Sequence, residues 1–241
     1  MTSTSLARIR AQVESRVPGA LSHVRSPAPE MFPSGIEVLD RLIGGVPRRA
    51  LTQICSAAGV SAGRTALLLA LLAKMTGQGE FCTLVDAGDG FDAESAEAAG
   101  VDLSRLLWVR CEGASLRSLE KAFKAVDILA QNGGFGLIAA DLSSIPENLI
   151  KKVPLSTWFR FARVMEKAPT ALVFLMSCPA APSCAGLTLH LTGEDAGSCG
   201  GELSHARVLT HLRCQFDIGR TRLRKPVQSA SSNVVTLQRW A

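Results

Sequence analysis

The chain has 241 residues, 47% of them hydrophobic and 20% charged, with a net charge of +5. That is enough apolar material for one large domain with a full core. It has no apolar run long enough to span a membrane and no apolar signal segment at its start, and its seven scattered cysteines form no C-x-x-C pair, so the expectation is a cytoplasmic protein without a metal cluster or redox motif. The charge is concentrated: residues 201–241 hold seven Lys or Arg against two acidic residues, leaving 19 of each sign elsewhere. Such a basic segment suits a phosphate backbone or an acidic protein face, with an ordinary solvated edge as the plain alternative.

Residues 1–17 place Leu6, Ile9, Val13 and Val17 at helical spacing, an amphipathic helix that Pro18-Gly19 stops. Residues 18–34 are Pro-rich and are expected to form an irregular linker.

From Gly35 to Leu191 strand and helix patterns alternate. Strands are expected at 51–55, 81–86, 106–110, 135–141 and 170–176, and helices at 66–74, 93–99, 116–131 and 155–167. Near-continuous apolar strands separated by helices predict an α/β fold with a mainly parallel sheet covered on both faces. The alternation from Ala206 to Leu223 adds antiparallel strands at an edge, which gives a core domain of 35–225 and a polar tail of 226–241.

In a parallel sheet the functional residues lie beyond the carboxyl ends of the strands. After the first strand comes S56-A-A-G-V-S-A-G-R-T65. The phosphate-binding pattern G-x-x-x-x-G-K-[ST] wraps backbone N–H groups around phosphates, with Lys on the β/γ oxygens and the hydroxyl on Mg²⁺. Here Gly63 and Thr65 fit, Ala58 stands at the first glycine and Arg64 at the lysine. Ala58, Gly59, Ser61, Gly63, Arg64 and Thr65 are therefore the candidate nucleotide residues, joined by Asp141 at the end of a buried strand, with Thr65 and Asp141 on the metal side. Asp86, Asp89 and Asp92 follow the second strand, and Asp92 before A-E-S-A reads as a helix N-cap rather than a ligand.

P33-S-G-I-E-V-L-D40, G44-G-V-P-R48, the altered loop, F81-C-T-L-V-D-A87 and G100-V-D-L-S-R-L-L-W108 together resemble the RecA recombinase core over about residues 30–195. The chain is most similar to the shortened RecA-like paralogues of the ImuA type. The resemblance implies a RecA-like P-loop core and a cytoplasmic accessory role in bacterial translesion synthesis and the SOS response. It implies polymerase-like mutasome subunits as partners, with single-stranded DNA or RecA as further ones, and ATP and Mg as the cofactors to test. The departures matter equally. Where the recombinase pattern has a water-activating Glu this chain has Gly88, and where it has a γ-phosphate-sensing Gln this chain has Ser177. The loss of lysine, glycine and base together predicts absent or weak ATP hydrolysis.

Two readings follow: a non-catalytic adaptor, or a slow ATPase that uses nucleotide as a switch. Arg64 could hold a phosphate or instead form a salt bridge with Asp141. Arg220, Arg222 and Arg224 recur at spacing two, one face of a strand, and with Lys225 and Trp240 they are the candidate contacts to nucleic acid or a partner protein.

Overall fold

The computed structural model describes residue 15 and residues 30–57, 62–181, 183–200, 207–221 and 234–238, with backbone alone at 195–200, 207–212, 220–221 and 234–238. Five strands build the parallel centre: β3 (Leu51–Cys55), β4 (Cys82–Asp86), β5 (Leu106–Arg110), β6 (Leu137–Asp141) and β7 (Ala171–Met176). All five expected strands share one sheet. With β8 (Leu187–Gly200), β9 (Arg207–Thr221) and β10 (Val234–Gln238) the order is β10-β9-β8-β3-β7-β6-β4-β5. β8 runs parallel to β3, while β9 and β10 are added antiparallel.

The strands read as unbroken apolar runs because both sheet faces are covered. On one face, helix α2 (Arg64–Gly77) packs Leu67, Leu71 and Met75 against Leu84, Ala139 and Val173. On the other, α4 (Leu116–Asn132) and α6 (Leu155–Met165) pack Val126, Trp158 and Phe161 against Val85, Ile138 and Phe174. Alternate residues of one strand thus serve opposite cores, the period of two that a pleated strand imposes. The short helices α1 (Glu37–Ile43), α3 (Ala93–Ala98) and α5 (Glu147–Ile150) and a 3-10 turn at Leu103–Arg105 lie between the strands. The N-cap reading of Asp92 holds, since its carboxylate accepts the backbone N–H of Ser95 at 3.1 Å.

Two expectations about the flanks are corrected. Met31–Phe32, inside the stretch expected to be irregular, forms strand β1, antiparallel to β2 (Val46–Pro47). Phe32 is buried there, and that apolar gain outweighs the irregularity expected of a Pro-rich stretch. Val234–Gln238, expected in a polar tail, pairs residue by residue with Gln215 to His211 of β9. Val234, Val235 and Thr236 are β-branched and suit a pleated edge, and β9 offers them an unpaired ladder. Of the expected N-terminal helix, Ser15 is helical and the rest lies outside the described residues.

Candidate functional site

The carboxyl ends of β3, β7, β6 and β4 meet in register: Cys55 lies beside Met176, Asp141 beside Leu175, and Asp86 beside Asp141. Of the expected nucleotide residues, Gly63, Arg64, Thr65 and Asp141 lie at this edge. Gly63 occupies the N-cap of α2 with φ of 80°, a left-handed conformation that glycine adopts without strain. Arg64 opens the helix and Thr65 follows it on an exposed position. Thr65 therefore lies inside the helix rather than capping it. Ala58, Gly59 and Ser61 lie outside the described residues.

Arg64 turns down onto the strand ends. Its Nη1 donates to the carbonyl oxygens of Ser56 at 3.3 Å and Met176 at 3.1 Å. The alternative of an Arg64–Asp141 salt bridge is not what forms. The Met176 carbonyl also accepts the N–H of Ser56 at 3.2 Å, so the guanidinium joins main-chain acceptors at the ends of β3 and β7, a use that needs no carboxylate. Sequence reasoning missed both partners, because main-chain acceptors leave no mark in side-chain pattern.

The carboxylates are each engaged by the chain around them. Asp86 is buried and accepts the N–H groups of Gly88 at 3.1 Å and Phe91 at 2.9 Å. Asp141 accepts the N–H of Ser143 at 2.9 Å. Burial raises the Asp141 carboxyl above the usual range against the lowering pull of Ser143; the neighbouring Asp86 raises it further, and Arg64 offsets a little. Asp89 is gripped by Arg110, whose Nε and Nη2 bond its two oxygens at 2.5 and 2.6 Å, and this holds its carboxyl below the usual range. Asp89 is thus engaged in a bidentate ion pair one residue beyond Gly88. Among the described residues no cluster of three or more His, Cys, Asp or Glu is placed to hold a metal ion.

Gly88 is closely covered. A Cβ at this position would come 2.4 Å from Ser144 Oγ and 2.7 Å from its Cβ. Any side chain here, a glutamate included, requires the Ser143–Ser144 turn to move. Among the described residues of this edge, Arg64 thus bonds main-chain carbonyls, and a side chain at Gly88 would meet Ser144.

Neighbouring groups are structural. Cys55, at the end of β3, has its thiol pushed up to about 12 by burial and by Cys178, Arg64 offsetting slightly, and it is inert as a nucleophile. Gln53, a buried polar residue in the apolar β3, donates to Thr188 Oγ1 at 2.8 Å and accepts the N–H groups of Ala180 and Ala181. It pins the loop that follows Ser177, and a lone Gln inside an apolar strand was the signal for it. Arg220 pairs with Thr188 in the β8–β9 ladder, while Arg222, Arg224, Lys225 and Trp240 lie outside the described residues. No helix among the described residues is long and apolar enough to cross a membrane.

Comparison with known proteins gives partial likenesses. The family described as the MT3502 N-terminal domain matches residues 44–145. Protein RecA of Ectopseudomonas oleovorans is 33% identical over 99 residues, covering 41% of this chain and 26% of that protein. Protein RecA of Fusobacterium nucleatum is 33% identical over 114 residues, 46% of this chain and 28% of its own length. Protein RecA of Thermus aquaticus is 32% identical over 114 residues, 46% and 32% of the two chains. The chain thus spans about a quarter to a third of the length of the curated relatives it matches. The sheet order and these partial likenesses agree on an α/β RecA-like core.

Proposed function

We propose that this chain is a non-catalytic RecA-fold accessory protein of bacterial DNA-damage tolerance, acting in translesion synthesis and the SOS response beside polymerase-like subunits. The observation that carries the non-catalytic part is Gly88 lying against Ser144, where the recombinase pattern needs a carboxylate. A missing general base forfeits about 10²–10⁴ in rate. The ImuA-type resemblance and the RecA likeness support the repair context. The basic row Arg220, Arg222, Arg224 with Lys225, and the tail Trp240, are the proposed contacts to a partner or to single-stranded DNA.

The test is phosphate release from ATP by the purified chain with and without single-stranded DNA. Turnover at the buffer background is expected, and Arg64→Lys leaves it there because no base is restored. Robust turnover abolished by Arg64→Ala overturns the reading. Capture of a Y-family-like polymerase subunit, lost when Arg220, Arg222 and Arg224 become Glu, tests the partner assignment. Loss of DNA binding alone assigns the row to phosphates, whose contacts weaken steeply with salt.

A second reading is a nucleotide-binding switch. It is favoured by Gly63 in its left-handed turn, which leaves the N-terminus of α2 free of any side-chain cap. A fluorescent ATP analogue titrated against wild type and Arg64→Ala tells the two apart: micromolar binding that the substitution removes supports the switch.

A further inference from the structure

Helix α6 is amphipathic in an incomplete way. Its inner residues Trp158, Phe161 and Met165 are fully buried, yet Leu155 and Phe159, one turn apart, are 53% and 40% exposed on the outer side. Beside Phe159 lies an open groove of about 980 Å³ between the C-terminal end of α4 and the outer side of α6. Ala130, Val164 and Ala168 give it an aliphatic lining, and Pro169 closes it just before β7 begins. A space of this size takes several side chains.

Arg160, Arg163 and Lys167 also line the groove, with Glu166 the acidic member of the lining. Arg160 is held at 2.6 Å by Asp127 of α4. Arg163 and Lys167 are exposed and make no ion pair among the described residues. Arg160 and Arg163 are spaced i and i+3 on α6, and Lys167 follows in the turn just beyond its C-terminal end, so all three cations border the groove beside its apolar lining.

We infer that this groove is a docking site for an acidic amphipathic helix of a partner protein. Carboxylates at helical spacing on such a helix meet the cations, and its apolar anchors enter the space beside Phe159. The aliphatic lining argues for a protein rather than a nucleic-acid occupant. Single strands are held by successive stacking rings along a basic track, and the groove lining has one ring. The groove opens beside Gly133 and Pro169, which precede β6 and β7, at the amino-terminal edge of the sheet. Arg64 and Asp141 sit at the carboxyl edge, so the inference stands apart from any reading of the nucleotide end.

The experiment is fluorescence anisotropy on the full chain with a labelled 16-residue probe peptide, Leu at helical spacing and Glu on the flanks. The same peptide with Lys for every Glu, and a single-stranded oligothymidylate, are the comparisons. Binding of the acidic peptide in the micromolar range is expected, and roughly tenfold weaker binding of the basic one, about 1.4 kcal/mol. Arg163→Glu with Lys167→Glu is expected to weaken the acidic peptide by about tenfold, with the chain still folded and the melting midpoint lowered only slightly, since both side chains are exposed but sit at the C-terminal end of α6. Phe159→Ala is expected to weaken it at every salt concentration. In the wild-type chain, peptide-induced amide shifts should fall within 127–133 and 155–169, a readout independent of any variant. No binding of the acidic peptide, equal binding by the variants, or shifts centred elsewhere overturns the inference. Oligothymidylate binding that alone responds to the substitutions overturns it in favour of nucleic acid.

Discussion

Asp141 shows how a residue can keep its place in a motif while the chemistry around it changes. Burial and the adjacent Asp86 raise its carboxyl above the usual range, and Ser143 and Arg64 recover only part. A carboxyl whose folded pKa exceeds its unfolded one contributes stability below the unfolded value and loses it as pH rises through the folded one. Ionised Asp141 is therefore a net cost at neutral pH. Asp141→Asn is expected to raise the melting midpoint at pH 7, with the gain shrinking toward pH 3. A midpoint at pH 7 that stays level or falls would show that cations repay the charge in full. Gly88 sets the neighbouring limit. Gly88→Ala places a methyl against Ser144 and is expected to cost about 1–2 kcal/mol, the lower part of the overpacking range because Ser144 lies on an exposed turn. Adding Ser144→Gly removes the obstructing side chain and should restore most of that loss in a denaturant titration. The two substitutions are neighbours, so this non-additivity is the signature to measure.

At the level of elements, the face formed by α4, α6 and β7 is locked by four rings. Phe123 stands edge-on to Trp158 at 5.4 Å and lies 5.5 Å from Phe161, and Trp158 meets Phe174 at 5.2 Å. Phe174→Ala leaves a cavity among rigid neighbours and is expected to cost about 3–5 kcal/mol, read as a lower denaturant midpoint at unchanged slope. These elements were legible in the sequence because burial on both faces turns each central strand into an apolar run. β3 and β5 fall on their expected residues, while β4 starts at Cys82 and β6 at Leu137, after the exposed Phe81 and the Phe135–Gly136 turn. The strand β8 was less plain, although Leu187, Leu189 and Leu191 alternate and are all buried. Its second half, G193-E-D-A-G-S-C-G200, has no apolar alternation, and it is strand by virtue of its ladder with β9. Of the candidate site, the common strand edge of Arg64, Thr65, Asp86 and Asp141 was legible. The destination of Arg64 was not, since Met176 Oxygen belongs to a strand end that only the sheet order brings to it.

Across the whole molecule, Arg48 ties together parts of the chain that are far apart in sequence. Its guanidinium bonds Glu80 through both Nη atoms, donates to the carbonyl of Pro169 at 3.0 Å, lies 3.5 Å from Glu30 and stands over the Phe32 ring at 5.6 Å. Its main-chain N–H adds a bond to the Glu30 carbonyl at 2.8 Å. The side chain is 10% exposed and that of Glu80 35%, so removing the arginine strands a carboxylate that water reaches only in part. Full burial of such an orphan costs about 3–5 kcal/mol, and partial access to water lowers the expectation for Arg48→Ala to about 2–3 kcal/mol. At this chain length that is a fall in midpoint of roughly 4–12 °C. Arg48→Lys keeps the charge but not the fork that serves Glu80 and Pro169 together, so it should recover less than half. The loss should also have a location. β1 and its Phe32 are held against the sheet through this residue, and limited proteolysis should open the chain near residues 30–34 in Arg48→Ala before the core unfolds. Cleavage there that stays as slow as in wild type, despite a lowered midpoint, would place the effect of Arg48 in the β4–β7 end of the sheet instead.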